Sequence, residues 1–565
     1  MAVATPAGAV DAPPVTGTQS YAHGASRTSL LGDTIGVHLA EIARRHADAE
    51  ALIVRHQGVR LSYAQLLAAS DRVARGLLGV GFRAGERVGI WAPNRAEWVL
   101  MQFATARVGI ILVNINPAFR ATELGYALRQ SGVSGLVVCP SFKGADYLDI
   151  LASSDPPDSL RCIIVLDDAA RDGQIGWSEL ERVGDRVEQS ALEETASRLT
   201  PDDPINIQYT SGTTGNPKGA TLTHHNLLNN GFFIGERLRL SVSDRVCIPV
   251  PFYHCFGMVL GILACVTHAS AMVIPAEAFD PLATLETVES ERCTALHGVP
   301  TMFVAELEHP RFAEFDLTSL RTGIMAGSPC PVEVMRQVVS RMHMIEVTIC
   351  YGMTETSPVS SQSSVDDSVE LRCTTVGRVH DHVEVKIVDP KTGLTVPRGT
   401  FGEFCTRGYS VMLGYWNDDT ATAAAIDRAR WMHTGDLAVM DDAGYLNIVG
   451  RIKDMIIRGG ENVYPREIEE FLHTHPAVSD AQVVGVPDQR YGEAICACIR
   501  LRPGMSLTED EVRAFCRGQI AHYKTPRYVR FVESFPMTVT GKVQKFLLRA
   551  TMINDLSLDP PTASA

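Results

Sequence analysis

The stretch Ile205-Asn206-Ile207-Gln208-Tyr209-Thr210-Ser211-Gly212-Thr213-Thr214-Gly215-Asn216-Pro217-Lys218-Gly219 decides the fold. Its first part, Ile205 to Tyr209, is a short apolar strand, and it runs straight into glycines, hydroxyls and one lysine. Glycines let main-chain N–H groups turn inward, hydroxyls donate further hydrogen bonds, and Lys218 adds a positive charge. Thr210, Ser211, Gly212, Thr213, Thr214, Gly215 and Lys218 together make a cradle for phosphate. The Walker loop needs Gly-Lys followed directly by Ser or Thr, whereas Lys218 stands between Pro217 and Gly219. A flexible surface linker explains the composition less well, because a buried strand leads directly into it.

Outward from the cradle the chain alternates helix and strand. Ser62-Tyr63-Ala64-Gln65 predicts a capping box opening a helix towards Leu78. Val88 to Trp91, Ile110 to Ile115 and Gly135 to Val138 are short buried strands, separated by helices over Arg95 to Arg107 and Thr122 to Gln130. Apolar strands at this spacing imply a parallel sheet with helices on its faces. A second αβ run covers roughly Ile205 to Ile349, including Ala271 to Ile274 and Ile345 to Ile349. From about Arg372 to Gly450 short strands and turns predict a small antiparallel, barrel-like unit. Examples are Val383 to Val388, Gly402 to Thr406, and a hairpin of Asp436 to Met440 against Tyr445 to Val449. Beyond Arg451 an α+β tail follows: a helix from near Pro465, strands at Ala481 to Val486 and Ala494 to Leu501, a helix capped by Thr508, and a strand at Arg527 to Val532.

Composition narrows the class. The chain has 565 residues, 45% hydrophobic and 21% charged, which excludes disorder for most of it. A formal charge of −14 argues against a nucleic-acid partner. The 13 cysteines include no Cys-x-x-Cys, so reduced, buried thiols are expected. Cys496 and Cys498 share one strand face without making a zinc knuckle. The longest apolar run, Gly257 to Val266, is about half the roughly 20 residues of a membrane span. Residues ahead of Arg27 carry no basic charge and no long apolar core. A loose leader and a cytoplasmic location, with no transmembrane segment, are the expectation.

The cradle resembles the phosphate-binding signature of the adenylate-forming superfamily, which holds acyl-CoA synthetases, luciferases and peptide-synthetase adenylation domains. Further motifs follow in the family's order. Tyr351-Gly352-Met353-Thr354-Glu355-Thr356 resembles the second nucleotide motif, Thr434-Gly435-Asp436 the ribose motif, and Gly450-Arg451-Ile452-Lys453-Asp454 the hinge motif. Gly459-Gly460-Glu461-Asn462-Val463-Tyr464-Pro465 and the segment from Pro536 to Gly541-Lys542 complete the set. The resemblance implies an α/β fold: a large N-terminal AMP-binding domain (29–452) of two αβ subdomains plus a small β-barrel, then a mobile α+β C-terminal domain (453–554). A disordered leader (1–28) and a frayed tail (555–565) flank them.

The resemblance also distributes roles. Glu355 would hold Mg²⁺, Thr354 the α-phosphate and Asp436 the ribose hydroxyls. Gly327-Ser328-Pro329 would lie against adenine, and Tyr351, Gly352, Met353 and Arg451 would complete the nucleotide site. His254 would sit beside the acyl carboxylate, with Gly257, Met258 and Gly261 lining an acyl pocket; core packing explains these apolar residues equally well. Lys542 would orient attack and neutralise charge building on the α-phosphate. Rotation about Lys453 would then replace it with Gly459, Gly460 and Glu461, which line a channel for coenzyme A.

The implied reaction is acid activation by ATP to an acyl-adenylate and pyrophosphate, followed by transfer to coenzyme A. Asn462 to Lys545, with Ile495-Cys496-Ala497-Cys498-Ile499-Arg500, most resembles the medium-chain acyl-CoA synthetase branch. Transfer to a carrier protein and a luciferase-like oxygenase are the alternatives, as is a nucleotide-binding regulator without catalysis. A homodimer, and a lysine acetyltransferase and deacetylase acting on Lys542, are further partners compatible with the resemblance.

Overall fold

The computed structural model describes residues 18–210, 217–328, 330–459, 461–537 and 543–558, with the side chain of Asn462 excepted. Ser211 to Gly215, Pro329, Gly460 and Lys542 lie outside the described residues.

Two large, mainly parallel sheets carry the first 350 residues or so. One has eight strands, in the order Ile175–Gly176, Cys162–Val165, Gly135–Val138, Arg87–Trp91, Ile111–Asn114, Pro204–Thr210, Lys218–Thr223 and Gly414–Tyr415. The first six run parallel, and the last two add antiparallel. The second has seven strands, from Glu346–Thr348 at one edge to the Glu50–Val54 and Val59–Ser62 hairpin at the other. In these two sheets the expected strands are present with ends shifted by a residue or two.

Local chemistry explains the key helices. Tyr63–Gly79 opens with the expected capping box: Ser62 Oγ accepts from Gln65 N–H at 3.3 Å, and Gln65 Oε1 accepts from Ser62 N–H at 2.8 Å. Such a cap stabilises by about 1 kcal/mol. Ala96–Val108 is buried on every face except at Glu97, as befits a helix enclosed on all sides. Trp98 packs on Phe252 with ring centroids 5.5 Å apart. Truncating Trp98 to Ala would cost about 3–5 kcal/mol.

The unit expected as a small barrel consists of two sheets over one core. A five-stranded antiparallel sheet runs Tyr21–His23, Val383–Val388, Gly402–Gly408, Met432–Met440, Leu446–Arg451. A three-stranded sheet of Cys350–Gly352, Val359–Gln362 and Arg378–Val379 lies beside it, and Val379 and Tyr351 join Phe404, Ala438 and Leu446 in a shared cluster. The edge strand Tyr21–His23 falls inside the segment expected as a disordered leader. Its pairing to Val383–Val388 corrects that expectation for residues 18–28. Its three residues pair with Glu384, Val385 and Lys386 along the edge of the long sheet.

The α+β tail is built on one sheet with two cores. In Gly492–Leu501, Ile495, Ala497 and Ile499 face Ile468, Leu472 and Val512. Cys496 and Cys498 face Leu548 and Met552 of the helix Lys545–Asp555. That alternation is the two-residue period of a strand covered on both sides.

Candidate active site

The cradle springs from the closed end of a hairpin. Thr210 and Lys218 are register partners, and Thr210 Oγ1 donates to the Lys218 carbonyl at 3.4 Å. The first hairpin strand also pairs with Ile111–Asn114, so the loop leaves the C-terminal end of a parallel sheet, where α/β folds place ligands.

Lys218 Nζ stands 5.0 Å over the ring of Tyr415. The Tyr415 hydroxyl donates to Glu355 Oε1 at 2.8 Å. Glu355 is carried on the tight turn Thr354–Thr356 that follows Cys350–Gly352. Gly352 must be glycine here, because a Cβ would lie 1.7 Å from the Pro358 carbonyl oxygen. Glu355 is 5% exposed. Burial raises its carboxyl pKa, and hydrogen bonds from Tyr415 and Thr210 together with the charge of Arg451 pull it back only in part. A buried carboxylate among hydroxyl oxygens is a donor set that suits a hard cation such as Mg²⁺.

Asp436 is treated differently. It lies inside the strand Met432–Met440, not at the start of a hairpin as expected. The register steps from Glu403 opposite Leu437 to Cys405 opposite His433, so Thr434, Gly435 and Asp436 bulge outward. Bulges commonly re-aim side chains beside active sites. Gly435 takes φ +70°, Thr434 Oγ1 donates to the Phe404 carbonyl at 2.7 Å, and Gly435 N–H donates to Glu403 Oε1 at 3.1 Å. The bulge presents Asp436 to two donors: the Tyr351 hydroxyl at 2.6 Å and Arg451 Nε at 3.0 Å. Burial, reinforced by the Asp436 charge, pushes the Tyr351 phenol well up, so the hydroxyl keeps its proton and donates.

The apolar end is built around a π-helix, Phe256–Leu263, with every residue buried. Such turns are rare and cluster at functional sites. His254 Nδ1 accepts from Phe256 N–H at 3.1 Å, which places the ring proton of the neutral form on Nε2. Cys255 Sγ lies 3.9 Å from Thr354 Oγ1 and joins this segment to the second nucleotide motif. Met258 Sδ is 3.4 Å from Asn114 Nδ2. A Cβ at Gly257 would come within 2.5 Å of the Pro251 carbonyl, and one at Gly261 within 2.8 Å of Ile248 Cγ2. These two glycines are therefore required by close packing, whatever else they line.

Among the remaining expected residues, Gly327 has φ +97°, which favours glycine, and Ser328 follows it. Met353 N–H donates to the Pro358 carbonyl at 3.0 Å, closing the turn that carries Glu355. Lys453 lies in the short turn Ile452–Asp454, directly after Arg451. Gly459 takes φ +61° and donates its N–H to the Tyr491 carbonyl at 2.8 Å, while the exposed Glu461 starts the strand Glu461–Val463, whose last residue is buried. The tail rests against the antiparallel unit through Arg466, whose guanidinium donates to the Ile448 carbonyl, and through Tyr464 packed on Phe401 at 5.5 Å.

Tyr415 and Glu403 are the two contributors that sequence reasoning missed. The only signal for Tyr415 was an aromatic pair after Gly414, and nothing local ties it to Glu355, 60 residues away.

The hairpin Pro204–Thr210 and Lys218–Thr223, the buried Glu355 and the bulge-borne Asp436 carry the motifs of one class, the adenylate-forming enzymes. Residues 39–416 match the family model described as AMP-binding enzyme, and residues 467–542 match AMP-binding enzyme C-terminal domain; the chain belongs to this family. It is 49% identical over 543 residues to "Putative acyl-CoA synthetase YngI" of Bacillus subtilis (strain 168), covering 94% of this chain and 99% of that protein. It is 45% identical over 567 residues to "Medium-chain acyl-CoA ligase ACSF2, mitochondrial" of Danio rerio, covering 97% and 93%. The fold matches ATP-bound MatB from Rhodopseudomonas palustris with a TM-score of 0.80 at 29% identity, covering 92% of this chain and 99% of that one. It also matches the anthranilate CoA ligase AuaEII in complex with anthranoyl-AMP, with a TM-score of 0.84 at 26% identity and coverage of 94% and 99%. The chain is an acyl-CoA synthetase, an ATP-dependent acid–thiol ligase. Among the described residues no helix is long and apolar enough to cross a membrane.

Proposed function

We propose that the chain converts medium-chain fatty acids to their coenzyme A thioesters in the cytoplasm, by way of an acyl-adenylate. The observation that carries the site assignment is the pair of buried carboxylates, Glu355 held by Tyr415, over whose ring Lys218 stands, and Asp436 between Tyr351 and Arg451. Likeness to a medium-chain ligase over nearly the whole chain supports the substrate class.

In the first step the acid's carboxylate attacks the α-phosphate and pyrophosphate leaves. Lys218 and the cradle hold the phosphates, Thr354 steadies the α-phosphate, and Asp436 accepts from the ribose hydroxyls. Glu355 would hold Mg²⁺, which supplies positive charge against the polyphosphate. Lys542 brings a second positive charge to the carboxylate and the α-phosphate and orients the attack. Domains 29–452 and 453–554 then turn about Lys453, withdrawing Lys542 and bringing Gly459, Gly460 and Glu461 to the site. The thiol of coenzyme A attacks the mixed anhydride, AMP leaves, and no protein nucleophile is needed.

Mass spectrometry of products from Mg-ATP, coenzyme A and straight-chain acids from acetate to palmitate, plus benzoate, tests this. A thioester with AMP, best at intermediate chain length, is the expected result. A best substrate at either end of the series would overturn the medium-chain assignment, and adenylate without thioester would point to a different acceptor.

A further inference from the structure

One face of the antiparallel sheet carries a cluster with no chemical part in the reaction above, although one member, Glu403, braces the Asp436 bulge through Gly435 N–H. Glu403 and Cys405 lie two apart on the strand Gly402–Gly408 and so share a face. Cys405 is the register partner of His433. His433 Nδ1 is 2.9 Å from Glu403 Oε2 and 3.4 Å from Cys405 Sγ. One ligand atom from each of the three lies within 4.8 Å of the other two, the single such group among the described residues. Cys405 is fully buried against Val388 and Trp431, while the His433 side chain is 32% exposed and open to solvent.

We propose that Glu403, Cys405 and His433 bind a divalent cation of the Zn²⁺ class, on the bulge that carries Asp436. A thiolate, an imidazole and a carboxylate are the donors a borderline-soft ion takes, and the thiolate disfavours Mg²⁺ and Ca²⁺. Tetrahedral Zn²⁺, with bonds of about 2.3 Å to sulfur and about 2.0–2.2 Å to nitrogen and oxygen, separates its ligand atoms by roughly 3.4–3.6 Å. The sulfur–nitrogen separation already has that value. The nitrogen–oxygen separation needs to open by about 0.5 Å.

Three protein ligands leave the fourth position to water. Asp427, 3.8 Å from His433 Nε2, sits on the other ring nitrogen, where an orienting carboxylate belongs. Glu403 Oε1 already holds Gly435 N–H, so ligation through Oε2 keeps that bond and ties the ion to the bulge. Binding releases the thiol proton and any proton held on His433 Nδ1. An ion pair between Glu403 and His433 would brace the bulge without the ion, yet it gives Cys405 no part.

Titration of the metal-free, full-length chain with Co²⁺ tests the site. The expected result is one tightly bound ion per chain, with a thiolate-to-cobalt charge-transfer band that disappears in Cys405→Ala. In His433→Asn, a change at a partly exposed position, affinity should fall at least about tenfold. Zn²⁺ should displace the cobalt and raise the Tm of the wild type but not of Cys405→Ala. Absence of a thiolate band in the wild type overturns the proposal, and so does a band that persists unchanged in both variants.

Discussion

The proposed phosphate end and the proposed ribose end of the site each bury one carboxylate and treat it in opposite ways. Asp436 meets a guanidinium and a phenol, so its charge is answered within the chain. Glu355 receives a tyrosine hydroxyl at Oε1, and burial outweighs what Arg451 contributes at a distance. A carboxylate already paired is suited to neutral hydroxyls, whose position it fixes without needing a new charge. A carboxylate whose ionised form is underserved favours a cation that arrives with the substrate. Ligand choice at the two ends thus follows from what the protein supplies to each acid.

The comparison can be broken at several points, beginning with the largest effect. Lys542→Ala removes the positive charge proposed to reach the phosphate end. Pyrophosphate release with acid and ATP should become undetectable, while supplied acyl-adenylate is still converted to thioester; equal loss of both half-reactions would refute a role confined to the first step. Glu355→Gln keeps the shape and removes the charge. Adenylation kcat should fall about 10²–10³-fold, the scale of one lost transition-state electrostatic contact, and stopped assays at several Mg²⁺ concentrations would show whether excess metal restores it. Asp436→Asn should act mainly on binding, raising KM for ATP about tenfold with a smaller change in kcat, because ribose contacts are the same in ground and transition states. A dominant kcat loss would mean the two ends are not divided as described.

Tyr415→Phe removes one hydrogen bond to an ionised group, worth about 1.5–3 kcal/mol. A drop in kcat of about 10- to 100-fold is expected, with the acid limb of the pH–rate profile displaced to higher pH, since the charged form of Glu355 loses a donor. The smallest effect is on stability. A carboxyl whose pKa is raised in the fold opposes folding once pH climbs above its ordinary value of 4.5, and the penalty is complete above the folded value. Glu355→Gln should therefore melt a few degrees above the wild type at pH 7, and the gain should vanish well below pH 4.5. Calorimetry at both pH values gives the sign, and a gain that grows in acid would contradict the raised pKa.

Much of this was legible in the chain because local chemistry dictates it. The capping box at Ser62, the strand from Pro204 to Thr210 and the alternation around Cys496 and Cys498 are each decided by neighbours in sequence. The donors to the carboxylates are not. Tyr415 reaches Glu355 only because Gly414–Tyr415 pairs with Lys218–Thr223 at the sheet edge, a tertiary fact with no local signature. The bulge that re-aims Asp436 depends on Glu403 from the neighbouring strand, which explains why a plain hairpin was expected there. Gly257 and Gly261 carry the same lesson in reverse: a tunnel and tight packing ask for the same residue, and only the neighbours Pro251 and Ile248 show how close that packing is.

The strand Tyr21–His23 has a consequence for how the chain is made. Ser20 Oγ donates to the carbonyl of Pro397, a partner 377 residues further along. At about 5–20 residues per second of synthesis, the early segment waits roughly 20–75 s on the ribosome before its partner emerges. Until then Tyr21–His23 lacks its partner, and an unpaired strand is the kind of surface that recruits other chains. Tyr21–His23 therefore finds its place only after a partner strand far along the chain has been made, and yield in the cell depends on keeping it unoccupied for that interval.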